Sequence, residues 1–165
     1  MKTILIPTDF KPETFNCVPE LLKRTYPDKL NLILIHVLDI TDSIQELLML
    51  SRRSAEYRHV PEAFYRLGAK LKNNYPDRIN NIRIEFFYGS TVAIFNNLLD
   101  ANNIDAVVKL NNYQYDELTQ NSIDPSVLMS RCNRPVMHLD CKPVFEYALP
   151  KPQLQPANEL VENEV

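Results

Sequence analysis

The chain has 165 residues, 45% of them hydrophobic and 24% charged, which suits one globular domain with a single core plus a tail. A formal net charge of -3 gives no overall attraction to phosphate backbones or anionic lipid, so composition argues against nucleic-acid and membrane partners. Only two glycines, Gly68 and Gly89, occur where average usage of about 7% would give about a dozen, and none follows Gly89.

At the N-terminus Lys2 precedes only three consecutive apolar residues, Ile4, Leu5 and Ile6, too few for a signal-peptide core or a spanning helix, so the expected location is the cytoplasm. Residues 3–7 (TILIP) form a short apolar run ended by turn residues, the pattern of a strand buried on both faces. Phe15, Val18, Leu22 and Tyr26 then recur at helical spacing. Pro12 suits the first turn of that helix, whereas Pro19 would remove an internal hydrogen bond and kink the helix or delay its start. The run Leu30–Leu38 (LNLILIHVL) is a second buried strand, completing a βαβ unit.

Residues 43–75 carry two helical stretches, marked by Ile44, Leu47 and Leu48 and then by Val60, Phe64, Leu67 and Leu71, with Pro61 opening the second. Residues 82–88 (IRIEFFY) place Ile82, Ile84 and Phe86 on one face, as in a partly covered edge strand, and Gly89 ends it. Val92, Phe95, Leu98 and Leu99 mark the next helix, with Ser90 as its expected N-cap. Residues 104–110 (IDAVVKL) predict a fourth strand, 111–122 a polar loop, 127–130 part of a last helix and 135–139 (PVMHL) a fifth strand. The order βαβαβαβαβ with right-handed crossovers gives an α/β fold, a five-stranded parallel doubly wound sheet of the Rossmann-like kind with helices on both faces. Residues 142–165, with four prolines and an acidic end, form a tail that cannot bury much apolar surface, although Phe145 and Tyr147 could anchor its first part.

Five elements in this order resemble the universal stress proteins: residues 4–10 (ILIPTDF), the strand ending His36-Val37, the Tyr88-Gly89 turn, residues 105–108 (DAVV) and Arg134-Pro135-Val136. The resemblance covers residues 1–141, read as a universal stress protein-like domain of the adenine nucleotide alpha hydrolase type, and leaves 142–165 as the tail. It implies a ligand cleft at the carboxyl ends of the first and fourth strands, where such sheets change direction. There Asp9 corresponds to the family's acidic residue and Val37 to the residue beside adenine. Pro7, Thr8, Gly89 and Ser122 complete a vestigial nucleotide-binding set, Ser122 standing for the Ser or Thr that ends the family's glycine-rich phosphate motif.

The glycines of that motif are missing. Matching the fourth strand puts Leu110 and Tyr113 where the first two belong, while matching Asn121-Ser122 puts Val108 and Asn111 there. Asn111, Asn112 and Asn121 tolerate left-handed geometry and could keep a turn, yet their side chains occupy space that a close phosphate needs. The resemblance without the motif implies no cofactor, with ATP or AMP disfavoured.

Other constellations have plainer readings. Asp9 could bind ribose or metal, or hold the Thr8 turn or cap the first helix. His36, His59 and His138 read as structural residues, with no metal site and no catalytic residue assigned. Cys17, Cys132 and Cys141 form no C-x-x-C pair and are odd in number, which argues against a disulfide framework; Cys17 is the thiol nearest the ligand end of the sheet. Arg52, Arg53, Arg58, Arg66, Lys70 and Lys72 read as a solvated helix face, with Glu62 and Arg66 at pairing distance. The expected function is therefore a non-enzymatic regulatory or interaction module of the stress response. Its expected partners are a second copy, paired through Pro135, Val136, Met137, His138 and Leu139, and another protein. The alternative is an adenine-nucleotide or small-molecule sensor using Asp9, Val37 and Ser122.

Overall fold

The computed structural model describes residues 1–39 and 57–141. The expected stretch around Ile44, Leu47 and Leu48, the residues Arg52 and Arg53, and the tail with Phe145 and Tyr147 lie outside the described residues. Five parallel strands, β1 (Lys2–Pro7), β2 (Leu30–Leu38), β3 (Ile79–Tyr88), β4 (Ala106–Asn111) and β5 (Val136–Asp140), form one sheet in the order β3-β2-β1-β4-β5. The chain moves outward from β1 to β3, then returns to place β4 beside β1. The order in which strands are added thus reverses between β1 and β4, the point at which open α/β sheets leave a crevice.

Apolar runs without polar alternation produce strands covered on both faces. Ile4, Ile6, Leu32, Leu34 and Val108 face one core with Phe15, Leu21 and Phe64; Leu5, Ile33, Ile35 and Val107 face the other with Phe95, Leu99 and Met129. α1 (Val18–Arg24) and α2 (Glu62–Asn74) supply the first layer, and α3 (Val92–Ala101) and α4 (Ser126–Arg131) the second. The doubly wound sheet is as the sequence predicts. β3 is an edge strand, with Ile82, Ile84 and Phe86 against the first core.

Local chemistry decides the element ends. Pro19 delays the first helix: residues Pro12–Cys17 form a 3-10 turn, and α1 starts only where Pro19 occupies its first turn. The N-cap of α3 is Thr91 rather than the expected Ser90, because the Thr91 hydroxyl accepts from Ile94 N at 3.3 Å. β4 begins at Ala106 rather than residue 104, since the Asp105 carboxylate accepts the Thr3 amide at 2.8 Å and so replaces a ladder carbonyl. Arg134 ties the second layer together, donating to Ile104 O at 2.7 Å and pairing with Asp100 at 2.6 Å. Among the described residues no helix is long and apolar enough to cross a membrane.

Candidate functional site

β1 delivers Pro7, Thr8 and Asp9 to the crevice beside β4, all three buried. The loop that follows is held by a chain of hydroxyls. Thr14 Oγ1 donates to Lys11 O at 2.9 Å, so the 2.9 Å contact between the two threonine hydroxyls is donated by Thr8. Thr8 Oγ1 in turn accepts the Phe10 amide at 2.9 Å. These bonds enforce φ of +66° at Phe10, a conformation that bulky side chains rarely adopt. The Phe10 ring packs edge-on against Phe64 and tilted against His36, which offsets part of that cost.

The Asp9 side chain is fully buried and each oxygen has two partners. Oδ1 accepts the Tyr113 hydroxyl at 2.7 Å and the Lys11 amide at 3.3 Å. Oδ2 accepts the Asp116 amide at 2.8 Å and faces Lys11 Nζ at 3.6 Å. Asp9 therefore holds its own turn, as the structural reading of the sequence has it, but does not cap the first helix. Lys11 also pairs with Asp116 at 3.2 Å and lies 5.5 Å from the Tyr113 ring centre. Burial works against the Lys11 charge, yet the hydrogen bond to Asp116 and the field of Asp9 raise its pKa above the ordinary lysine value. Burial, followed by the hydrogen bond to Asp9, pushes the Tyr113 phenol up and keeps it a donor.

A second cluster joins β2 to the same loop. His36 Nδ1 lies 2.9 Å from the Thr8 carbonyl, which can only accept, so the proton is on Nδ1 and Nε2 accepts from the Ser122 hydroxyl at 2.8 Å. Ser122 Oγ also accepts the amides of Leu118 and Thr119 at 2.9 and 3.0 Å. A serine beside a histidine has the outline of a nucleophile and its base, but both lone pairs of this oxygen are engaged by amides. The pair fastens the loop to the sheet. Next to it, Ile123 N donates to Val37 O at 3.0 Å and Asp39 N to Asn121 O at 2.8 Å, as an antiparallel bridge between Leu38 and Ser122.

The loop after β4 thus reaches Asp9 through Tyr113 and Asp116, and Val37 through Ile123. Asn112 turns it with φ of +53°, the left-handed role that an asparagine can take in place of glycine. Leu110 and Tyr113, at the positions matched to the family's first two glycines, respectively fill the core and cover Asp9. Gly89 lies apart from Asp9, at the end of edge strand β3, with its amide donated to Leu38 O at 2.9 Å. Pro135, Val136, Met137, His138 and Leu139 run along the opposite edge, where only Leu139 is fully buried. The sequence reading missed Tyr113, Asp116, Lys11 and the bond from His36 to Ser122. A buried aspartate needs partners, and a tyrosine in place of a phosphate-loop glycine was the available sign of one.

Among solved structures, the chain is similar to the universal stress protein UspA from Lactobacillus plantarum, with 16% identity and a TM-score of 0.53 over 84% of this chain and 97% of that one. It is also similar to the hypothetical protein MJ0577, with 16% identity and a TM-score of 0.50 over 86% of this chain and 97% of that one. No protein-family model matches the sequence, and none of the curated proteins matches it. The chain has the fold of the universal stress protein UspA.

Proposed function

Proceeding from the universal stress protein fold, we propose that this chain is a non-enzymatic regulatory module of the stress response that acts as a homodimer and does not bind ATP in the family's manner. The observation that carries this reading is the loop after β4, which itself satisfies the groups assigned to the nucleotide. Asp9 is bonded by Tyr113 and Asp116, Ser122 by His36 and two amides, and the Val37 carbonyl by Ile123. A nucleotide at this crevice would have to break these bonds and displace the Tyr113 ring. Both lone pairs of Ser122 being occupied also speaks against acyl or phosphoryl transfer at this serine.

The exposed edge β5 supports the second part of the reading. Among the described residues β5 is an edge strand of the sheet; an edge strand is an aggregation hazard unless it is covered, and pairing with a second copy about a two-fold axis covers it on both subunits. Cytoplasmic action as a dimer and contact with another protein belong to the same proposal.

The test is the absorbance ratio of the purified protein for co-purified nucleotide, followed by thermal shift with ATP, AMP and Mg²⁺. A ligand at one hundred times its Kd stabilises by about 2.7 kcal/mol, a readily visible shift. No shift with ATP is expected; a clear one overturns the reading in favour of an adenine-nucleotide sensor. Sedimentation tests the dimer: His138→Glu places a like charge at each copy of an exposed edge position and is expected to yield monomer. A dimer unchanged by that substitution rejects β5 as the interface.

A further inference from the structure

His36 holds the loop after β4 through one unprotonated nitrogen. Its Nδ1 donates to the Thr8 carbonyl at 2.9 Å, which leaves Nε2 to accept from the Ser122 hydroxyl at 2.8 Å. Ser122 Oγ is itself saturated, since it accepts the amides of Leu118 and Thr119 at 2.9 and 3.0 Å. An imidazolium carries two donors and no acceptor. With a proton on Nε2, the Ser122 hydroxyl loses its acceptor, and Oγ can accept from Nε2 only if one of the two amides lets go.

We propose that His36 is a proton-operated latch on this loop: the neutral imidazole fastens residues 118–123 to the carboxyl end of β2, and the imidazolium releases them, uncovering the Val37 carbonyl. The rings of Phe10 and Phe86 flank the imidazole at 5.5 and 6.0 Å between centres and hold it in place. Release breaks the bonds from Ile123 N to Val37 O and from Asp39 N to Asn121 O. The earlier part of the loop stays anchored, because Tyr113 and Asp116 are bonded to Asp9 and not to His36.

The sign follows from the hydrogen bonds. The closed latch takes only neutral His36 and the open one takes either form, so the open fraction rises as pH falls through the ordinary histidine range of about 6.5. Among the described residues, the charged and titratable groups on the elements around His36 are Asp9 with its partners Lys11 and Asp116, Asp39 where β2 ends, and Tyr57, whose ring meets Phe86 edge-on. The Tyr57 hydroxyl donates to Ile84 O at 3.0 Å. A pH dependence that arose from any of these groups would survive the removal of His36, which separates them from the latch.

The latch stands on these bonds alone and holds whether or not the crevice takes a nucleotide, so its failure leaves the thermal-shift result untouched. The whole chain is followed by NMR from about pH 7.5 to about pH 5.5, above the ordinary carboxylate range of about 4. The His36 ring protons report titration, and amide exchange, with its intrinsic pH dependence divided out, reports opening. Protection at the Ile123, Leu118 and Thr119 amides is expected to fall about tenfold over that range, the linkage expected of one proton taken up at about 6.5. The Thr8 amide, bonded to Ile35 O at 2.9 Å within the sheet, is expected to keep its protection. His36→Phe keeps a ring between Phe10 and Phe86 and does not titrate, so its Ile123 protection is expected to be flat with pH. Ser122→Ala, which removes the hydroxyl that opposes the imidazolium, is expected to be flat as well and serves if His36→Phe does not fold. Unchanged Ile123 protection in the parent, an equal loss at Thr8, or a pH dependence that persists in either variant would each overturn the proposal.

Discussion

The Tyr113 hydroxyl donates to Asp9 Oδ1 at 2.7 Å, joining the loop after β4 to the end of β1 across 104 positions of sequence. The acceptor is a fully buried carboxylate, so the bond is charge-assisted and its loss is not repaired by water. Tyr113→Phe keeps the ring and removes only the hydroxyl. It is expected to lower stability by about 1.5–3 kcal/mol, the usual range for a hydrogen bond to a charged group, read as the shift in urea midpoint at unchanged slope. A change below about 0.5 kcal/mol would mean that Lys11 and Asp116 satisfy Asp9 without Tyr113.

The Ser122 latch predicts a cost without a change of secondary structure. Ser122→Ala leaves His36 Nε2 and the amides of Leu118 and Thr119 without their shared partner. Unsatisfied groups at a part-buried site cost about 1–3 kcal/mol, and the bridge from Ile123 to Val37 is expected to open more often. Hydrogen exchange at the Ile123 amide is the direct check: protection equal to that of the parent protein would show that the bridge holds itself.

Two tyrosines give the protein an alkaline signature. Burial is the leading cause that raises the Tyr113 phenol, followed by its hydrogen bond to Asp9, and burial followed by the Cys141 charge raises Tyr115. Both folded-state values lie above the unfolded value of about 10. Their contribution to stability is therefore complete below about pH 10 and is lost as pH rises from there through the folded values, because the unfolded chain releases these protons first. Spectrophotometric titration should show Tyr113 and Tyr115 ionising only as the fold is lost, and Tyr113→Phe and Tyr115→Phe should each remove one late-titrating group. Early, reversible ionisation of all eight tyrosines would contradict it.

Much of the fold was legible because one run of residues suffices to specify each element. The run Leu30–Leu38 is apolar throughout and becomes a strand with those bounds, and the alternation of Ile82, Ile84 and Phe86 marks an edge strand. Where a side chain competes with the backbone, the pattern misleads, as at Asp105, whose carboxylate takes the place of a strand carbonyl. The crevice was legible only in part. Asp9 and Ser122 stand out by resemblance, but Tyr113 and Asp116, which occupy Asp9, and His36, which occupies Ser122, are distant in sequence, and no periodicity relates Asp9 to Tyr113. The missing glycines are the local sign of this arrangement: Tyr113 stands where one of them belongs and bonds Asp9.

The two glycines that do occur predict substitutions of opposite sign. Gly68 lies inside α2, where glycine is disfavoured, and a Cβ there would meet Phe15 Cζ at 3.5 Å, an ordinary contact. Gly68→Ala is therefore expected to stabilise the protein by about 0.5–1 kcal/mol. Gly89 has no positive φ, so its requirement is spatial: an added Cβ would stand 3.0 Å from Phe87 Cζ and 3.3 Å from Ile94 Cγ2. The Phe87 ring is buried and set edge-on to the buried Phe95, so it cannot retreat without disturbing the second core. Gly89→Ala is expected to destabilise by about 1–3 kcal/mol, the usual cost of overpacking. Equilibrium urea unfolding of both variants measures the pair, and two shifts of the same sign would show that local backbone freedom, rather than the space around each Cβ, governs these positions.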